Sequence, residues 1–181
     1  MKLLKYFLVL VSCAAVFWLV GYKISDNAFA YKVIQENHLT SPEQVFKFVI
    51  DHKIQAPSGS PNSAAGASFR TLVNRPGDWL WCDEGAIVVA VMVGQLGYST
   101  RLVDLVGTRD GVSHNTVLQI QQADNWVIYD FTGRQFNVPF DKTVDYPAMP
   151  IYRPYPNWQQ KLLLNNYFLR ELAQVVRPWL I

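Results

Sequence analysis

From Ala86 to Val93 every residue is apolar (AIVVAVMV), and this run constrains the fold more than any other stretch of the chain. Asp83 and Glu84 precede it and Gly97 follows it. Acidic residues favour the positive end of a helix, and glycine commonly stops one. A strand would also suit the valines, but roughly fourteen residues between a start and a stop favour a helix. A helix that is apolar on every side must be covered on every side. The chain must therefore supply material on at least two flanks of this segment. With 181 residues, half of them apolar, it has enough for one well-buried domain.

The flanking sequence offers that material. Ser41-Pro42-Glu43-Gln44 predicts a helix start, with Ser as cap, Pro at the first helical position and Gln at the third. Val45, Phe46, Val49 and Ile50 then recur at helical spacing, and the helix should end near Ile54. The Ser-, Ala-, Gly- and Pro-rich stretch 55–68 reads as a loop, and Arg75-Pro76-Gly77-Asp78 as a turn. After the apolar run, Thr100–Val106, His114–Gln121 and Trp126–Phe131 read as strands separated by turns at 108–111 and 123–125. A helix followed by consecutive strands predicts an α+β domain, with the buried helix packed on an antiparallel sheet. Pro139 to Pro156 holds five prolines and reads as an irregular cover, and 157–177 as a final helix. The expected divisions are a leader and short linker over 1–30 and a domain over 31–181. Within that domain lie a core at about 41–135, a cover at 136–156 and the last helix.

Tyr6 to Tyr22 carries no charge and follows Lys2 and Lys5. Its 17 residues are at the lower limit for a membrane helix. The lysines place the N-terminus in the cytoplasm and the bulk of the chain outside, as a single-pass membrane protein. Two alternatives stay open. Ala28-Phe29-Ala30 fits a cleaved signal peptide, which would leave a secreted or periplasmic domain. Leu10-Val11-Ser12-Cys13 resembles a lipoprotein box.

Composition excludes several classes. A formal charge of +2 with no basic run gives no nucleic-acid footprint. Fourteen per cent aromatic residues argue against disorder. No Cys or His pair has metal-ligand spacing, so neither a metal nor another cofactor is expected. No signal bears on oligomeric state.

Cys13 and Cys82 are the only cysteines. Cys13 lies in the apolar leader, which leaves Cys82 as the one thiol of an exported domain and a candidate reactive group. A thiol nucleophile needs a base and a group that orients the base. Cys82 opens the core helix, where the dipole and free N–H groups favour a thiolate and a developing oxyanion. His114 begins one strand, and Asp130 lies late on the next. Trp79, Trp81 and Asn115 are possible oxyanion or substrate contacts, and Arg101 a further substrate contact.

WCDEGAIVVAVMVGQLGYSTRLV resembles the nucleophile segment of the transglutaminase-like (papain-related) superfamily. There, a Cys opens a core helix that ends in Leu-Gly-small and runs into a strand bearing an Arg, matched by Arg101. His114, Trp126 and Asp130-Phe131-Thr132 follow in the order of that family, whose acid motif is Asp-Pro-Thr. The likeness spans Ser41 to about Thr132. It implies Cys82 as nucleophile, His114 as base and Asp130 as orienter. The implied activity is acyl transfer from a peptide or protein amide, by hydrolysis or to an amine. The stretch His114–Leu118 lacks the aromatic and acidic residues common after the family histidine. The competing expectation is therefore a non-catalytic scaffold serving a cell-envelope or glycan-assembly system.

A triad also requires a register. Opposed residues of an antiparallel pair share a face, and faces alternate along a strand. His114 and Asp130 share one if paired numbers sum to an even value such as 246, unless a bulge shifts the count. Thr116, Trp126 and Ile128 would then join them, and Cys82 would lie within about 4 Å of His114.

Overall fold

The computed structural model describes residues 2–60, 68–106, 113–139 and 151–154. The expected turn at 108–111 and the helix at 157–177 lie outside the described residues. So does the expected cover, apart from 136–139 and 151–154.

The first helix, α1, runs without interruption from Lys2 to Glu36. The division expected at residue 30 thus falls inside a helix that continues through Glu36. The reason is packing: Ala30, Val33 and Ile34 are buried in the main core. Upstream, Tyr6, Phe7, Leu10 and Phe17 are exposed. Among the described residues, no helix is long and apolar enough to cross a membrane.

Helix α2 spans Pro42–His52 and starts where its caps predict. Ser41 Oγ accepts the Gln44 N–H at 3.3 Å. The Gln44 side chain reaches back one residue further than in a standard capping box, to the Thr40 N–H at 2.7 Å. Strand β1 (Ile54–Gln55) follows, then the short helix α3 (Phe69–Val73) and strand β2 (Trp79–Leu80), which pairs in parallel with β1. The turn between α3 and β2 places Gly77 at φ 90° and Asp78 at φ 50°. Both values lie in the left-handed region, which glycine adopts at no steric cost.

Helix α4 spans Cys82–Gln95, with Gly97 at φ 88° just beyond its end. It is the central layer of the domain. Helices α1, α2 and α3 and strands of the main sheet all pack against it, and α2 also reaches the sheet. Its buried set runs unbroken from Glu84 to Ala90 and resumes at Met92 and Val93. At Gly85 the helix meets the sheet closely enough that a Cβ would overlap the Phe131 ring.

The sheet contains β3 (Thr100–Val106), β4 (Ser113–Gln122), β5 (Asn125–Asp130), β6 (Gln135–Pro139) and β7 (Ile151–Pro154). All neighbours are antiparallel, in the order β6-β5-β4-β3-β7. The α+β class with helices on an antiparallel sheet is therefore the observed one. Two strands occupy ground expected to be irregular, and both form edges of the sheet. Their prolines, Pro139 and Pro154, close β6 and β7. An edge strand tolerates proline because one side of its backbone donates no ladder bond.

Leu118 pairs with Tyr129 and Gln122 with Asn125, so the paired numbers sum to 247. The expected even sum is not adopted. A two-residue turn joins the strands, with Ala123 at φ 51°. Such short turns match the strand twist and outcompete a three-residue loop here, even at the cost of a left-handed alanine. The register sorts the sheet into two faces. Leu102, Leu118, Ile120, Val127, Tyr129 and Phe131 join the α4 core. Val103, Leu105, Val117 and Ile128 form a second cluster on the far face.

Candidate active site

Buried charge fixes the approach to Cys82. Glu84 is fully buried, and its carboxylate accepts Arg75 Nη1 at 2.5 Å and Nη2 at 2.6 Å. The same group accepts the Trp81 N–H at 2.9 Å. Arg75 in turn lies over the Trp79 ring, 4.5 Å from its centre. A paired guanidinium fork satisfies a buried carboxylate well, whereas an isolated one would be costly. The chain from Arg75 to Glu84 is thus clamped at both ends around the cysteine. Trp79 and Trp81, expected as oxyanion or substrate contacts, are both engaged in this clamp.

Cys82 is half-buried at the first turn of α4, against β4. The backbone N–H and the hydroxyl of Thr116 reach its sulfur. Burial pushes the thiol pKa up, and the charge of Asp83 adds to this. The N–H groups of Thr116 and Asp83 and the Thr116 hydroxyl pull the other way. The net direction is upward, against the expectation of a thiolate-favouring helix start. A helix N-terminus acts over its first turn only, and here an acid in that turn and the loss of water outweigh it.

His114 is exposed at the start of β4. Leu105 pairs with Asn115 and Val106 with Ser113, so His114 is the extra residue of a β-bulge. A bulge re-aims a side chain and takes it out of simple alternation. Asp130 is fully buried at the end of β5. Its Oδ1 accepts Asn115 Nδ2 at 3.1 Å, and its Oδ2 has no hydrogen-bond partner among the described residues. Burial pushes the Asp130 carboxyl up, opposed by the Gly133 N–H, the Asn115 amide and the Thr132 N–H. Asn115 Oδ1 accepts the Thr132 hydroxyl at 3.1 Å, which ties the turn after β5 to the start of β4.

By the observed register, Asp130 and Asn115 lie on the far face, together with Ile128 and Trp126. Thr116 lies on the α4 face with Leu118. The expected grouping of Thr116 with Trp126 and Ile128 is thus not adopted, for the same reason as the register. Arg101 is also on the far face. It donates to Gln119 Oε1 at 2.5 Å and stacks 4.1 Å from the centre of the Trp126 ring. These contacts occupy the arginine expected to meet substrate.

Of two further polar residues at the site, Thr116 was expected on its face without a role, and Asp104 escaped the sequence reading. Thr116 contacts the sulfur, and its hydroxyl donates to Asp104 Oδ1 at 3.0 Å. Asp104 is buried in the middle of β3. The signal was a lone acid inside the apolar run Leu102-Val103-Asp104-Leu105-Val106. Such an acid needs a buried partner.

A scan of the chain against protein-family models gives no match, and neither does a search of curated proteins. The chemistry is read from the residues. Near one end of β4 lie a half-buried thiol at a helix start, an exposed histidine and a buried carboxylate with an open acceptor atom, the thiol and the carboxylate on opposite faces of the sheet.

Proposed function

We propose that the chain is an extracytoplasmic, membrane-tethered enzyme with a transglutaminase-like core, in which Cys82, His114 and Asp130 transfer the acyl group of a peptide or protein amide. One observation carries this reading. The Cys82 sulfur and the Asp130 carboxylate contact consecutive residues of β4, Thr116 and Asn115, and His114 immediately precedes both. The two contacts flank His114's end of β4 from opposite faces of the sheet, Cys82 on the α4 face and Asp130 on the far face.

In this mechanism the neutral thiol gives its proton to His114 as sulfur attacks the amide carbon. The N–H groups at the start of α4 receive the oxyanion. The C–N bond breaks, and His114 returns the proton to the leaving amine. Water, or a second amine, then attacks the thioester with His114 again taking a proton, the C–S bond breaks, and His114 returns that proton to the Cys82 sulfur. Asp130 Oδ2 supplies the acceptor that orients the imidazole. No cofactor is required by any step. Helix α1 provides the tether through its exposed apolar residues Tyr6, Phe7, Leu10 and Phe17.

A second reading, a catalytically silent scaffold, is favoured by the upward-shifted thiol. Acylation separates the two. With Cys13→Ser in the full-length chain, p-nitrophenyl acetate should release nitrophenolate and leave an acetyl group on Cys82, seen by mass spectrometry. His114→Ala should slow this step by about 10²–10⁴-fold, the usual contribution of a general base. Absence of the Cys82 adduct would leave the scaffold reading in its place.

A further inference from the structure

Phe17, Gly21, Ser25 and Phe29 recur at four-residue spacing, so they form one stripe along α1. The stripe changes character along its length. Phe17 is exposed and belongs to the apolar part of the helix. A Cβ at Gly21 would meet nothing within 4 Å, so the helix surface there is bare. At Ser25 the domain arrives. Arg70 Nη2 donates to Ser25 Oγ at 3.2 Å, and the guanidinium lies over the Phe29 ring, 4.9 Å from its centre. A cavity of about 430 Å³ opens between this stripe and α3, lined by Phe17, Gly21, Ser25, Asp26, Arg70 and Thr71 among others.

The cavity carries one charge of each sign. Asp26 Oδ2 accepts the Phe69 N–H at 3.2 Å. Among the described residues, Asp26 and Arg70 form no ion pair with each other. Burial pushes the Asp26 carboxyl up, against the pull of the Phe69 and Arg70 N–H groups and of the Arg70 charge. A carboxylate so placed gains from a cation that brings its own N–H donors. A guanidinium has five donors, so Arg70 keeps some beyond the one given to Ser25, and the Ser25 hydroxyl, having accepted, still has a proton to give an anion. The lining therefore suits a small zwitterion with an apolar tail. A simple anion would meet repulsion from Asp26.

We infer that this cavity binds one phospholipid with a phosphoethanolamine headgroup: phosphate against Arg70 and Ser25, ammonium against Asp26, and an acyl chain along Gly21 and Phe17. The inference rests on the proposed membrane tether and specifies where the domain meets the lipid. At 1.5 Å of rise per residue, Asp26 lies about 14 Å beyond Phe17 along the helix. The headgroup layer is about 5–8 Å thick on each side of the bilayer. An upright α1 with Phe17 among the acyl chains thus holds Asp26 and Arg70 at headgroup level. A choline headgroup offers Asp26 no N–H, and a glycerol headgroup offers it no cation.

The test is native mass spectrometry of the full-length chain in detergent, mixed in turn with phosphatidylethanolamine, phosphatidylcholine and phosphatidylglycerol of one acyl composition. A single ethanolamine lipid should be retained several-fold more than either of the others. Arg70→Gln should lower that retention several-fold, and Asp26→Asn should erase the preference over choline. Equal retention of the three lipids, or a preference that survives both substitutions, would overturn the inference. If neither variant melts cooperatively, Gly21→Leu carries the test. Its side chain enters open space and raises helix propensity, so the melt should be kept while bound lipid falls several-fold. Retention unchanged by Gly21→Leu would count against the site. Flotation with vesicles of phosphatidylethanolamine and phosphatidylglycerol reports separately on the tether. A chain that stays behind yet retains the ethanolamine lipid would refute the tether alone. A chain that floats without any headgroup preference would refute the site alone.

Discussion

Asp130 keeps a buried carboxyl group at a thermodynamic cost. Its pKa is raised in the fold, chiefly by burial. Between the unfolded value, about 3.9, and the raised folded value, the native chain retains a proton that the unfolded chain has lost. Stability should therefore fall as pH rises through that window and remain lower above it. Asp130→Asn removes the titration, so the difference in stability between mildly acid and neutral pH should shrink. Urea denaturation at the two pH values checks this, and an unchanged difference would show that Asp130 is not the source. The residues themselves were largely legible. Cys82 was marked by the helix it opens, and Asp130 by its place at the end of a strand. Asp104 was not, and Thr116 was grouped with Trp126 and Ile128 rather than with the α4 face, because one residue of register decides which face meets α4. Ala123 in a left-handed turn set that register, and alanine gives no advance sign of such a conformation.

Among the elements, the helices followed their signals closely. Ser41 and Pro42 fixed the start of α2, and Gly97 the stop of α4. These are local effects, readable within a few residues. The edge strands β6 and β7 were hidden by proline content, because a proline disfavours a central strand but says little about an edge. The contact of α4 with the sheet gives a sharp prediction. Gly85 leaves no room for a methyl group against Phe131. Gly85→Ala gains helix propensity but must push the helix from the sheet, and overpacking should dominate with a net loss of about 1–3 kcal/mol. Chemical denaturation measures it. A stabilised variant would mean that the Phe131 ring moves aside at little cost.

At the scale of the whole molecule, the C-terminal end of the N-terminal helix is joined to the domain by specific contacts. Asp26 Oδ2 accepts the Phe69 N–H at 3.2 Å, and the Arg70 guanidinium reaches Ser25 at 3.2 Å. Phe29 meets Phe69 edge to face, 6.0 Å between ring centres. A chain beginning at Tyr31 loses these contacts and the buried Ala30, and should melt well below one beginning at Ser25. Equal melting temperatures would show that the helix only rests on the domain. The proposed topology is tested on the same scale. Alkaline phosphatase fused after Ile181 should be active, and an inactive fusion with an active cytoplasmic reporter would reverse the orientation.

The placement of α4 between other helices and the sheet has a consequence for how the chain is made. The ribosome delivers α1, α2 and α3 before α4, so one flank of α4 can dock as soon as it emerges. The opposite flank meets β3, β4 and β5, the last of which ends at Asp130, 35 residues after Gln95. At roughly 5–20 residues per second, that flank stays bare for about 2–7 s. A helix apolar on all sides, with its cysteine uncovered during that interval, is the point at which a nascent chain is most open to association with other hydrophobic surfaces.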